Sequence, residues 1–177
     1  MSQKSELSRI ADIKDIEERR VVAMDITASE EECRALAKRF GILEVREVNA
    51  QVKISAKAGG YYRVEGDLKA DVIQACGVTL APVPEKVHET FDEVLTTDAG
   101  NLPSEEDTDG DAEKPVDVIE GDRIDAGEIV AQWLALSLDP FPRCDAAPVF
   151  KHLEDADSAE GKKTYAPFEI LQKLKDK

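Results

Sequence analysis

At 177 residues the chain can bury one sizeable core and is short for two domains. Its formal net charge of −15 speaks against holding a polyanion by bulk electrostatics and favours a cationic partner. Cys33, Cys76 and Cys144 are odd in number and far apart, so they read as reduced thiols rather than a disulfide framework. The N-terminus lacks the pattern of a signal peptide. The longest apolar stretch, residues 129–138, is interrupted by Gln132 and Ser137 and is too short to span a bilayer. The expectation is a soluble cytoplasmic protein with no membrane partner. The charge is unevenly spread: residues 1–60 balance eleven acids with eleven bases, whereas residues 98–128 carry twelve acids against Lys114 and Arg123.

Taken in order, residues 1–19 mix single apolar residues with charges and read as an N-terminal arm, flexible or docked. A single domain is expected over 20–177. Residues 20–26 suit a short strand. Ser29 precedes Glu32 by three positions, as in a capping box, and opens a helix. Cys33, Leu36, Ala37 and Phe40 form one stripe and Gly41 closes it. Arg34, Lys38 and Arg39 lie off that stripe, either as a solvated face or as a small cationic patch for phosphate.

Residues 48–72 organise the chain. Val48, Ala50, Val52, Ile54 and Ala56 alternate with polar residues, and after Gly59-Gly60 the alternation resumes at Tyr62, Val64, Leu68, Ala70 and Val72. This is a hairpin of two half-buried antiparallel strands. Opposed residues share a face, so parity selects the loop. A two-residue turn would set Ile54 against Glu65 and bury charge. A three-residue loop, Ala58-Gly59-Gly60, sets Ala56 against Tyr62, Ile54 against Val64 and Ala50 against Leu68, with Lys53 beside Glu65 and Asn49 beside Lys69 on the wet face. Gly60 then takes the left-handed position. The alternative register, slipped by two, sets Lys57 against Arg63, a like-charge pair, so the first is preferred.

Residues 72–84 are too apolar for an exposed loop and too rich in Gly and Pro for a central strand. They read as a packed turn leading to a third strand, residues 83–96, with Val87, Phe91 and Leu95 inward. Residues 98–115 hold one large apolar residue, Leu102, and read as a mobile, disordered acidic loop. Its run Asp107-Thr108-Asp109-Gly110-Asp111 misplaces the glycine of a calcium loop. Residues 116–120 suit an edge strand. Asp125 caps a second helix, with Glu128 in its first turn. Ile129, Val130, Trp133, Leu134 and Leu138, widened by Ala131 and Leu136, give it a broad apolar face. Asp139-Pro140-Phe141-Pro142-Arg143 ends that helix. A polar loop follows at 154–163, then a short helix with Pro167 near its start. The fold class is α+β: an antiparallel meander packed by two or three helices.

The chemistry of a catalytic site is missing from this pattern. His88 and His152 are the only histidines, and neither accompanies a nucleophile signature. No phosphate-cradling glycine loop precedes a helix, and no pair among Cys76, Cys144, His88 and His152 has metal-ligand spacing. The sequence indicates no enzyme, cofactor, metal or small-molecule substrate.

Residues 72–83, read with Asp139-Pro140-Phe141-Pro142-Arg143 and with Phe168-Glu169-Ile170-Leu171-Gln172-Lys173-Leu174, resemble the YceD family, described as large ribosomal RNA subunit accumulation proteins. More narrowly, Gln74, Cys76, Thr79 and Pro82, with Gly66 before them, look like the alphaproteobacterial form. The helical stretch 29–40 is similar in character. Other branches carry Cys-x-x-Cys at this turn; here Thr79 stands in the second position. The resemblance implies a non-enzymatic role in large-subunit (23S) ribosomal RNA accumulation or maturation. Joined to the charge, it suggests an acidic adaptor or escort for a basic ribosomal protein or large-subunit assembly factor, with ribosomal RNA engaged indirectly. Contacts would come from Gln74, Cys76, Thr79 and Pro82 and from Asp139, Pro140, Phe141, Pro142 and Arg143, unless both segments are simply well-packed corners. The alternatives are direct ribosomal RNA binding through Arg19, Arg20, Arg34, Lys38 and Arg39 and, more remotely, an enzyme.

Overall fold

In the computed structural model the hairpin is the spine of a five-stranded sheet. The structure describes residues 5–98, 100, 116–119 and 121–145, all within one compact unit, Met1–Ala147. Most of the acidic segment 98–115, the polar stretch 154–163, His152 and the helix expected beyond Pro167 lie outside the described residues. The elements run β1 (Ile10–Asp12), α1 (Ile13–Arg19), β2 (Val21–Thr27), α2 (Glu30–Phe40), β3 (Glu44–Ala56), β4 (Tyr61–Ala75), β5 (Pro82–Thr96), β6 (Val116–Val118), β7 (Arg123–Asp125) and α3 (Ala126–Ser137). The architecture is α+β. Among the described residues no helix is long and apolar enough to cross a membrane.

The hairpin has the register that parity demands. Ala56 faces Tyr62, Ile54 faces Val64 and Ala50 faces Leu68, while Lys53 pairs with Glu65 and Asn49 with Lys69. Lys57 donates its amide to Tyr61 O at 2.8 Å, which leaves Ala58, Gly59 and Gly60 as the loop. Both glycines are left-handed, Gly59 at φ +79° and Gly60 at φ +78°, so the turn uses two such positions rather than one. At the other end β3 extends back to Glu44 through a bulge between Val45 and Glu47. The inserted residue resets the parity, so Val45 and Val48 both point inward although three apart.

The sheet order is β2-β3-β4-β5-β6. Three departures from the sequence reading have physical causes. First, β4 runs on to Ala75, and the glycine- and proline-bearing turn shrinks to residues 76–81. Pro82 and Pro84 sit inside β5 because there it is an edge strand, β6 reaching only Val94–Thr96. Second, β6 lies parallel to β5, so the sheet is not a pure meander. The long connection between them permits a parallel return. Third, residues 10–19 form β1 and α1, with Leu7, Ile13 and Ile16 buried and β1 paired to β7.

One sheet face is covered. α1 packs on β2 and β3, α2 on β3, and α3 on β4 and β5. Val48, Val52, Ile54, Val64, Leu68, Val72, Val87, Phe91 and Leu95 merge there with Leu36, Ile129, Val130 and Leu134 into one core. α2 has the expected punctuation: Glu32 N donates to Ser29 Oγ, Ser29 N donates to Glu32 Oε2, and Gly41 caps the other end at φ +69°. Gly66 points inward opposite Phe91, whose ring occupies the space a side chain would need. Phe91 in turn stacks on Trp133 of α3, ring centroids 5.4 Å apart. Leu136 departs from the expected broad face of α3 and stands 76% exposed. The opposite sheet face is polar, with Lys53–Glu65, Arg63–Asp92 and His88–Asp67 paired across strands.

Candidate functional site

Where β4 passes into β5 the chain makes a tight turn and meets the corner after α3. Cys76 N donates to Ala81 O at 2.8 Å and Leu80 N to Cys76 O at 2.9 Å, closing the turn. The corner folds on itself through Asp139, whose Oδ1 accepts the Phe141 amide at 2.8 Å. Several bonds then fasten the two segments. Gln74 Nε2 donates to Asp139 O at 3.1 Å and to Glu85 Oε2 at 2.8 Å. Gly77 N donates to Pro142 O at 2.8 Å, and Cys144 N to Cys76 Sγ at 3.5 Å. Thr79 Oγ1 lies 3.2 Å from Cys144 Sγ.

The residues singled out from sequence therefore converge, but they divide by role. Gln74 and Cys76 are buried and act as fasteners. Thr79 and Pro142 join the two segments, while Pro82 opens β5 opposite Ala75. Asp139, Pro140, Phe141 and Arg143 stay exposed on the outer side. The Cys76 thiol is lowered to about 6. The Thr79 hydroxyl contributes most, followed by the amides of Cys144, Thr79 and Val78, all of which stabilise the thiolate. Cys33 contrasts with it: burial, then nearby Glu32, pushes its thiol up.

One residue that the sequence reading did not single out, Leu80, adds an apolar group at the turn. It is 75% exposed and holds φ +61°, a left-handed conformation that a side chain with a Cβ adopts at a cost of about 1–2 kcal/mol. Phe141, across the hydrogen-bonded junction, is 79% exposed. Neither packing nor backbone preference accounts for a leucine at position 80. Its only sequence signal is a large aliphatic residue within a Gly- and Thr-bearing turn.

The alternative cationic face is less coherent. Arg39 is committed to Glu128, at 2.8 and 2.6 Å, and to Glu6 at 2.9 Å. Arg34 Nε donates to Glu30 O of its own helix. Arg19 ends α1, Arg20 caps it at φ +64°, and Lys38 is exposed on α2. His88 bonds Asp67 at 2.9 Å on the open sheet face. The hollow beside it, about 360 Å³, is lined by Glu47, Asn49, Lys69, Asp71 and Lys86, with no cysteine or serine. Among the described residues no three His, Cys, Asp or Glu side chains gather as a metal site.

Searches of curated proteins and of solved structures return no match. A family model does match, over residues 64–175, and it carries the description Large ribosomal RNA subunit accumulation protein YceD. The match takes in β4 from Val64 onward, β5, the turn and the corner; helix α2 lies before it. As it spans more than half of the chain, and covers the segments that the structure fastens together, the protein belongs to the YceD family of large ribosomal RNA subunit accumulation proteins.

Proposed function

We propose that this protein supports large-subunit ribosomal RNA accumulation as a non-enzymatic adaptor for a basic ribosomal protein or large-subunit assembly factor. The net charge of −15 draws the cationic client at long range and raises its encounter rate. Specific contact comes from the fastened corner. The observation that carries this reading is the pair Leu80 and Phe141: two large apolar side chains, each at least 75% exposed, displayed on a junction whose backbone is held by hydrogen bonds on both sides. Exposed aromatic and aliphatic groups on a rigid support are what an interface anchor requires.

The test is an affinity pull-down from cell extract, treated with nuclease before capture. An adaptor keeps its protein client after RNA is digested. A direct RNA binder acting through Arg19, Arg20, Arg34, Lys38 and Arg39 loses everything captured with the RNA. Salt weakens both kinds of complex and does not separate them.

A further inference from the structure

We propose that Cys76 and Cys144 are a dithiol site that closes to an intramolecular disulfide when the protein meets a low-molecular-weight disulfide such as oxidised glutathione. The two residues are 68 positions apart in sequence, yet the Cys144 amide touches the Cys76 sulfur at 3.5 Å. Thr79 Oγ1 contacts the Cys144 sulfur at 3.2 Å and also hydrogen-bonds Cys76, so a single hydroxyl bridges both thiols. The Cys144 backbone against the Cys76 sulfur, and one hydroxyl shared by both sulfurs, place the two thiols at a single locus, the juxtaposition a disulfide requires.

Burial sets the order of events. Cys76 is fully covered, whereas Cys144 is partly exposed, so the reagent meets Cys144 first. The Cys144 thiolate attacks one sulfur of the reagent, whose S–S bond breaks and releases one thiol that takes up a proton. The product is a mixed disulfide on Cys144. Cys76, already favoured as thiolate by Thr79 and by the surrounding amides, then attacks the Cys144 sulfur and expels the second thiol. Two protein thiols are oxidised and one disulfide is reduced to two thiols. Cys33 takes no part, being buried and held as the thiol.

The experiment uses the full chain with oxidised glutathione near neutral pH. Thiols titrated after denaturation should fall from three to one, with the mass reduced by two hydrogens and peptide mapping linking Cys76 to Cys144. Dithiothreitol should restore all three. Cys76→Ser should stop at a single glutathione adduct on Cys144, and Cys144→Ser should keep both of its remaining thiols. Three intact thiols in the parent protein, a bond to Cys33, or a bond between two chains would overturn the proposal. Since the parent protein gives the decisive reading, it stands or falls even if a variant folds poorly.

Discussion

Gly66 shows how one missing side chain positions several others. β4 presents even-numbered residues to the core, and at position 66 that face is taken by the Phe91 ring, which carries Trp133 on its other side. Adding a methyl group there forces the ring off its seat, and overpacking of this kind costs about 1–3 kcal/mol. Gly66→Ala should therefore lower the unfolding free energy by that amount, read as a lower urea midpoint at unchanged slope, and alter Trp133 fluorescence. Leu80 predicts the opposite sign. Replacing it with glycine relieves a left-handed leucine, so Leu80→Gly should leave stability unchanged or raise it by up to about 1 kcal/mol in the same denaturation assay. Parity in the sequence placed Gly66 on the inner face opposite Val52. It could not name Phe91 as its occupant, because that register depends on the length of the turn at residues 76–81.

The N-terminal elements are where sequence reasoning had least to work with. Leu7, Ile13 and Ile16 are single apolar residues among charges, and the strand that pairs with β1, β7, lies more than a hundred positions away. Asp125 does the joining. One carboxylate oxygen accepts the Gly127, Glu128 and Arg9 amides and the other accepts Ser8 Oγ at 2.7 Å, so the cap of α3 is also the anchor of the arm. Asp125→Ala should cost about 1–2 kcal/mol and speed amide exchange over residues 5–12. Two ion pairs reinforce the attachment. Arg9 holds the Glu32 carboxyl at about 2, and Arg39, with help from Ser5, does the same to Glu128. Carboxylates held low stabilise the fold above their ordinary value of 4.5 and lose that contribution as pH falls toward 2. Thermal midpoints should drop across this window. Arg39→Ala should flatten the drop and cost about 1 kcal/mol at neutral pH, since the pair is partly exposed. By contrast α2, whose start and stop are both local signals, was legible in full.

For the molecule as a whole, the hairpin follows from alternation and its register from alternation with charge: one buried face excludes odd slips, and a slip of two would set Lys57 against Arg63. The parallel return of β6 was not legible, as nothing local distinguishes the direction of a three-residue strand. The candidate site was legible as two segments but not as one place. Their junction is made by backbone amides and by Gln74, Cys76 and Thr79, whose partners lie far off in the sequence. Leu80 and Leu136, both exposed, were hidden by their own hydrophobicity, which places such residues in a core by default. The proposed adaptor role requires an acidic body that offers a rigid apolar corner to a basic client. Leu80→Gly combined with Phe141→Ser tests it most directly, because neither change removes a core contact. After nuclease treatment, capture of the cationic client by this double variant should fall at least about tenfold, the equivalent of about 1.4 kcal/mol, with the thermal midpoint preserved. Undiminished capture by the folded double variant would contradict the account.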